Sequence, residues 1–233
     1  EQKDFFVYVK EEAIKRAVAE FHSRIAQLEK LLASAGEDKK KQAAIEFLLL
    51  NAIMANKADL SNLIGAEAEI LIDHRTEIAR LLMGGLNRIE YYFDNAGDEL
   101  LADMWLVHYL LSNNLVKQVK GHIKAHPYLV SDALDSDVYK MIHCMRESEY
   151  EPVRRIGEDL RKHIEEERFI LNADTWLTDG NHKELPDGSI KYIIPARERK
   201  DLSNSSLVIG KGDIIYRLFT SDRYYSYDAD IEQ

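Results

Sequence analysis

The sequence predicts an α/β protein of three layers, α/β/α, with a mostly parallel sheet and a helical N-terminal part. Three observations carry this. From residue 88 onward, short apolar runs of strand type alternate with helix-type segments, the pattern of a parallel sheet with crossover helices. Before residue 85 the apolar residues recur only at three- and four-residue steps. Between the aromatic run ending at Phe93 and the apolar segment around Leu100 sit Asp94, Asn95 and Gly97, a strand-to-helix turn rich in polar groups.

In order along the chain, a first helix is expected over 4–32, where Ile14, Ala17, Val18, Phe21, Ile25, Leu28 and Leu32 form one stripe. A polar break around Gly36 separates it from a second helix over 41–54. A polar turn at 55–62 follows. A third helix is expected over 66–83, ended by Gly84-Gly85. Strand one falls at 88–93 and its helix at 99–113. Strand two falls at 118–123, followed by a loop through His126-Pro127 to Asp132. Helices over 135–145 and 152–167 come next, the second with a proline in its first turn. Strand three is placed at 168–172 and strand four at 206–210. Residues 174–201 hold Gly180, Pro186, Gly188 and Pro195 and read as a long functional loop or lid with a small hairpin. The chain therefore divides into a helical part, 1–85, packing on an α/β core of Rossmann-like type, 86–233.

Bulk composition narrows the function. The chain has 233 residues, is 45% hydrophobic and 31% charged, and has a formal net charge of −10. An acidic chain without basic patches points away from nucleic acid and from membrane surfaces. No run is long enough to span a bilayer. Cys144 stands alone, so no intrachain disulfide framework exists. Without a secretory signal pattern, a cytoplasmic location is the default expectation. The opening on a charged amphipathic stretch without Met reads as a fragment or a processed chain.

Candidate chemistry gathers at one edge. In a parallel sheet all strands end on the same side, where ligands bind. Asp94 and Asn95 end strand one, Asp132 lies beyond strand two, Asn172 ends strand three, and Lys211, Gly212 and Asp213 follow strand four. Asp94, Asn95 and Asp132 make a hard-oxygen ligand set suited to Mg²⁺, Mn²⁺ or Co²⁺. A hard divalent ion beside a helix N-terminus and a lysine is a phosphate-handling arrangement. In it Lys211 neutralises phosphate charge and Asp213 orients a hydroxyl or water. The same residues also have a plainer reading: Asp and Asn after strands cap helices, Asp132 is a loop acid, and Lys211 is a solvated lysine. His126, His143 and His163 read as surface or packing histidines, Trp105 and Trp176 as packing residues, and Cys144 as an inert filler.

Four ordered blocks resemble a known family. Phe93-Asp94-Asn95-Ala96-Gly97-Asp98-Glu99-Leu100 is similar to the Asp-Asn-x-Gly-x-Glu signature of the metal-dependent damage-control phosphatases, some of which are also described as acidic-residue methyltransferases. Asn56-Lys57-Ala58-Asp59-Leu60-Ser61 resembles the family's Asn-Lys turn, and Pro127-Tyr128-Leu129-Val130-Ser131-Asp132 its Pro-aromatic-x-Val-Ser-Asp block. Leu207 to Arg217, with Lys211-Gly212-Asp213 inside it, resembles the Lys-Gly-Asp block of the sugar-phosphate branch. The resemblance implies a divalent metal (Mn²⁺, Co²⁺, Ni²⁺ or Mg²⁺) held by Asp94, Asn95 and Asp132. It implies catalysis by these three with Lys211. It further implies that Asn56, Lys57, Asp213, Tyr216 and Arg217 face a small phosphorylated metabolite such as a sugar phosphate.

The chain departs from the family pattern at two positions. Ile215 stands where the family usually has Asn, and Asp98 where it usually has a large apolar residue, which adds negative charge near the phosphate site. The family also continues past the Asp222-Arg223 pair into a further strand, so the core reads either as incomplete at its C-terminal end or as that of a shortened relative. The expected activity is phosphomonoester hydrolysis. The alternatives are an S-adenosylmethionine-dependent protein carboxyl (glutamate) methyltransferase and a non-catalytic relative. Against the methyltransferase, the turn after strand one has Gly97 alone, not a glycine-rich fingerprint.

Overall fold

A computed structural model describes residues 4–55, 70, 72–179, 182–186 and 190–221. Its centre is a four-stranded sheet, all parallel, in the order β3-β2-β1-β6. The strands are β1 (Leu86–Tyr92), β2 (Val116–Lys124), β3 (Phe169–Asp174) and β6 (Leu207–Gly210). A separate antiparallel hairpin pairs β4 (His182–Glu184) with β5 (Ile190–Tyr192).

Strand alternation gives the sheet two unlike faces. Ile89, Tyr91, Val119, Ile123 and Phe169 enter one large apolar core. The helices α4 (Asp98–Ser112), α5 (Asp135–Arg146) and α6 (Glu151–Glu165) supply the other side of that core. α4 is buried on nearly every side, from Asp98 through Val107 and again at Leu110 and Leu111, as a helix apolar all round must be. Behind this layer lie α1 (Val7–Ser34) and α2 (Glu37–Met54), whose main contacts are with helices, α1 with α5 and α4, α2 with α4 and α3 (Arg75–Met83). Ile14, Phe21, Ile45 and Leu48 are fully buried there, and Trp105 of α4 meets Phe21 edge-on at 4.9 Å between ring centres.

The opposite face carries Arg88, Glu90 and Tyr92 from β1, Lys120, His122 and Lys124 from β2, and Asn172 and Asp174 from β3. It is covered by a smaller apolar cluster of Tyr92, Trp176, Leu177, Ile215 and Leu218. These come from β1, from α7 (Trp176–Asp179) and from α9 (Gly212–Thr220). The layers are thus helix, sheet, helix, as expected.

Two expectations need correction. The third helix does not begin at 66: residues 70 and 72–74 are not helical, and α3 starts at Arg75. Asp73 explains the start, since its carboxylate accepts from the Arg75 backbone N–H at 3.1 Å and pairs with the Arg75 guanidinium. The helix ends as expected, Gly85 taking φ 81°, a conformation costly for any residue with a Cβ. The stretch 174–201 is also more regular than a long loop. It holds α7, the β4–β5 hairpin and α8 (Ala196–Ser203). The expected hairpin is present, its strands flanking the Pro186 turn signal.

Candidate active site

The chain leaves β1 toward β2 on one side, while β6 returns to the other side of β1. That reversal is the switch point at which open α/β sheets bind ligands. Asp94 and Asn95 follow β1 there, and Lys211-Gly212 follow β6.

Asp94 is nearly buried. Gly212, at φ 82°, opens α9 directly against it: a Cβ placed on Gly212 would come within 2.1 Å of Asp94 Oδ2. Only glycine fits between this carboxylate and the N-terminus of α9. Across the turn, Asn95 is pinned through every polar atom. Its Oδ1 accepts from Ser131 Oγ at 2.8 Å, and its Nδ2 donates to Asp94 Oδ2 at 3.0 Å and to Glu99 Oε2 at 3.1 Å.

Asp132 is brought to the same place by the loop after β2. Asn95 and Asp132 form an isolated antiparallel bridge. Ala96 N–H donates to Ser131 O at 2.7 Å, and Ala133 N–H to Asp94 O at 2.9 Å. Asp132 Oδ2 accepts from the backbone N–H groups of Tyr128 and Leu129, at 2.9 and 2.5 Å. The three residues singled out from sequence as a ligand set therefore do converge.

What the sequence reading missed is the cation between them. Lys124, the last residue of β2, has a side chain that is 0% exposed. Its Nζ lies 2.7 Å from Asp94 Oδ1, 2.9 Å from Asp94 O and 2.9 Å from Asp132 Oδ1. Burial pushes the Asp94 carboxyl above its ordinary range, Lys124 pulls it back down, and Glu99 and Asp132 push it up again.

The donor set suits a hard divalent ion. Asp132 Oδ1 is buried and, among the described residues, has no hydrogen-bond partner beyond its 2.9 Å ion-pair contact with Lys124. Asp94 and Asp132 together offer anionic oxygen, and Asn95 offers a carboxamide oxygen, the ligand types such ions take. Among the described residues no group of three His, Cys, Asp or Glu side chains gathers at metal-binding distance. Two carboxylates and a carboxamide fall outside such a count.

Lys211 is placed differently from its expected role. Its Nζ turns toward α4 and α2, meeting Glu99 Oε1 at 2.9 Å, Asp103 Oδ1 at 3.0 Å and Ala52 O at 2.7 Å. Burial alone would lower its pKa, but Asp103 and Glu99 outweigh this and raise it. Asp103 is fully buried, and burial pushes its carboxyl up to about 7 against the opposing pull of Lys211. Tyr91 OH donates to the same Asp103 Oδ1 at 2.7 Å. Lys211 thus reaches the ligand set through Glu99, which also holds Asn95.

Asp213, Tyr216 and Arg217 share one stripe of α9 and are exposed, with Asp213 and Arg217 paired at 3.4 Å. Asn172 Nδ2 donates to Asp174 Oδ1, two residues on in the same strand. Asn56 and Lys57 lie outside the described residues.

A second missed group lies beside Lys124 on the same face of the sheet. His122 is fully buried between Glu90, 2.5 Å from Nε2, and Asp174, which meets Nδ1. Burial lowers its pKa, but the two carboxylates outweigh that and raise it. Tyr92 stacks on the imidazole with ring centres 4.2 Å apart.

A family model described as "Damage-control phosphatase ARMT1-like domain" matches residues 1–231. The chain belongs to this family. It is similar to the Damage-control phosphatase ARMT1 of Xenopus tropicalis, 26% identical over 231 residues, which cover 87% of this chain and 50% of that protein. The proteins of the same name from Homo sapiens and Danio rerio are 26% and 27% identical over 147 residues, covering 63% of this chain and 32% of each. The chain spans about half the length of the first of these relatives.

Family membership gives the two departures a structural account. Asp98 does not add free charge beside the switch point as expected. It is buried against α1, with Arg24 at 2.5 Å and Arg16 at 3.4 Å. Ile215 lies in the apolar cluster with Tyr92 and Trp176, on the inner side of α9. Among the described residues no helix is long and apolar enough to cross a membrane.

Proposed function

We propose that this domain is a divalent-metal-dependent phosphatase acting on small phosphorylated metabolites, sugar phosphates among them, in the damage-control sense of its relatives' names. The observation that supports it most is the meeting of Asp94, Asn95 and Asp132 at the switch point, against the N-terminus of α9.

Asp94, Asn95 and Asp132 would hold the ion. Bound there, it would supply Lewis-acid charge to the phosphoryl oxygens and make water more acidic. The chain's own residues do the rest. Ser131 and Glu99 fix the Asn95 carboxamide, and the Tyr128 and Leu129 amides fix Asp132. Gly212 keeps the first turn of α9 close to Asp94, where its free N–H groups favour an anion. The exposed Asp213–Tyr216–Arg217 stripe offers polar groups to the part of the substrate that leaves as an alcohol. Water adds to phosphorus, the P–O bond to the alcohol breaks, and a proton passes to the departing oxygen, giving alcohol and inorganic phosphate.

The test is phosphate release from a panel of sugar phosphates. The protein is first stripped with EDTA, then supplied with Mn²⁺, Co²⁺, Ni²⁺ or Mg²⁺ in parallel. Restored release that disappears in Asp94→Ala is expected. Release unaffected by EDTA, or retained in Asp94→Ala, would overturn the reading.

A further inference from the structure

Lys124 is not an ordinary buried ion pair. Its ammonium touches three oxygens drawn from both proposed carboxylate ligands, two carboxylate oxygens and the Asp94 carbonyl. That side chain is fully buried. A single cation bridging two carboxylates is what a metal ion would be in the same place. We infer that the Lys124 ammonium and the divalent ion are alternative partners of Asp94 and Asp132, and that the ammonium, once displaced, turns to the anionic group of the substrate. The inference rests on the metal reading above.

The argument is one of charge and space. Asp94 and Asp132 carry two negative charges in a nearly buried setting, which needs a counter-charge whether or not metal is present. Lys124 supplies one positive charge and so holds the two turns together before metal arrives. A divalent ion between the same oxygens brings two positive charges to a spot that an ammonium already fills, and both cannot keep those contacts. Lys124 sits at the end of β2 on a flexible four-carbon stem, so the head can move while the strand stays paired to β1 and β3. Metal and ammonium side by side carry three positive charges against two negative, a surplus that a phosphoryl group cancels. The site thereby takes up metal and anion as a pair. Of Lys124 and Lys211, Lys124 is the one placed to do this, since the Lys211 head is held by Glu99, Asp103 and Ala52.

The experiment compares the metal-free chain with Lys124→Met and Lys124→Gln by calorimetric titration with Mn²⁺. Inorganic phosphate is then titrated into each Mn²⁺-loaded protein. Expected are Mn²⁺ affinity at least tenfold tighter in both variants and phosphate affinity at least fivefold weaker. A residue that only braces the two turns would lower metal affinity when replaced, so the opposite signs of the two changes identify exchange. Equal or weaker Mn²⁺ binding in the variants overturns the exchange, and unchanged phosphate binding overturns the second half of the inference. No Mn²⁺ binding by any form overturns the metal reading with it. Intact exchange without phosphate release from any ester would instead count against hydrolysis alone. If the variants fold only with metal, they are refolded in Mn²⁺ and their affinity is read by competition with a chelator.

Discussion

Gly212 and Asp94 are packed so closely that the one has no room for a side chain while the other remains a carboxylate: the nearest approach of a Cβ at Gly212 would be 2.1 Å. The contact joins the ends of β1 and β6, neighbouring strands separated by about half of the chain.

Replacing Gly212 with Ala should therefore damage the site more than the fold. The positive φ and the overlap together cost on the order of 1–3 kcal/mol, and Asp94 must move. Thermal melting should fall by several degrees, while metal-dependent phosphate release drops at least tenfold. An alanine variant with wild-type release would show that the Asp94 position is not critical.

Tyr92→Phe should leave stability unchanged or raise it by about 1 kcal/mol, because the buried hydroxyl has no hydrogen-bond partner to lose among the described residues. The ring keeps its stacking on His122 and its edge contacts with Trp176 and Phe219. Urea denaturation decides it, a loss above about 1 kcal/mol pointing to a water or ligand held by that hydroxyl.

His122→Leu should be strongly destabilising, by about 3–5 kcal/mol, since it leaves Glu90 and Asp174 buried without their shared cation. The pH dependence has a definite sign. The folded pKa of His122 lies above its unfolded value, so its contribution is full below about 6.5 and fades as pH rises through the folded value. The gap between wild type and variant in denaturant midpoint should narrow toward alkaline pH.

Asp103→Asn reports on the other buried carboxyl. Its folded pKa, about 7, lies above the unfolded value near 4, so the folded state holds a proton that the unfolded state releases between them. Stability from this group is fully present below pH ~4 and is lost as pH rises through about 7. The wild type should thus show a downward slope across that window, relative to the variant, in melting temperature against pH. Parallel curves would place the Asp103 proton elsewhere.

Much of this arrangement was legible in the residues because it is local. Strand-type runs ending in Asp94-Asn95 and in Lys211-Gly212 gave the parallel sheet and its functional edge, and the Asp132 loop closes on that edge as expected. The expected strand two, 118–123, contains His122 and stops one residue short of Lys124, and the sequence reading gives neither residue a role. The signal was there: Lys120, His122 and Lys124 alternate with Val119, Gly121 and Ile123 in a strand paired on both sides, which demands buried counter-charges. Where Lys211 points was not legible. Its partners Glu99, Asp103 and Ala52 are distant in sequence, and only packing of α2 and α4 selects them. The start of α3 went wrong because apolar spacing continues upstream of a turn set by Asp73, a side chain competing with the helix for the backbone.

The two turns that hold Asn95 and Asp132 are stitched by backbone hydrogen bonds, Ala96 to Ser131 and Ala133 to Asp94. Mechanically they are a single clasp. They cannot swing apart without breaking both stitches, so if the proposed site opens for a substrate, that stroke would fall to the opposite jaw, where α9 meets Asp94 through a glycine and a carboxylate. A labelled cysteine on the outer side of α9 would register that stroke, and the amides of Ala96 and Ala133 would exchange with heavy water at the slow pace of the sheet.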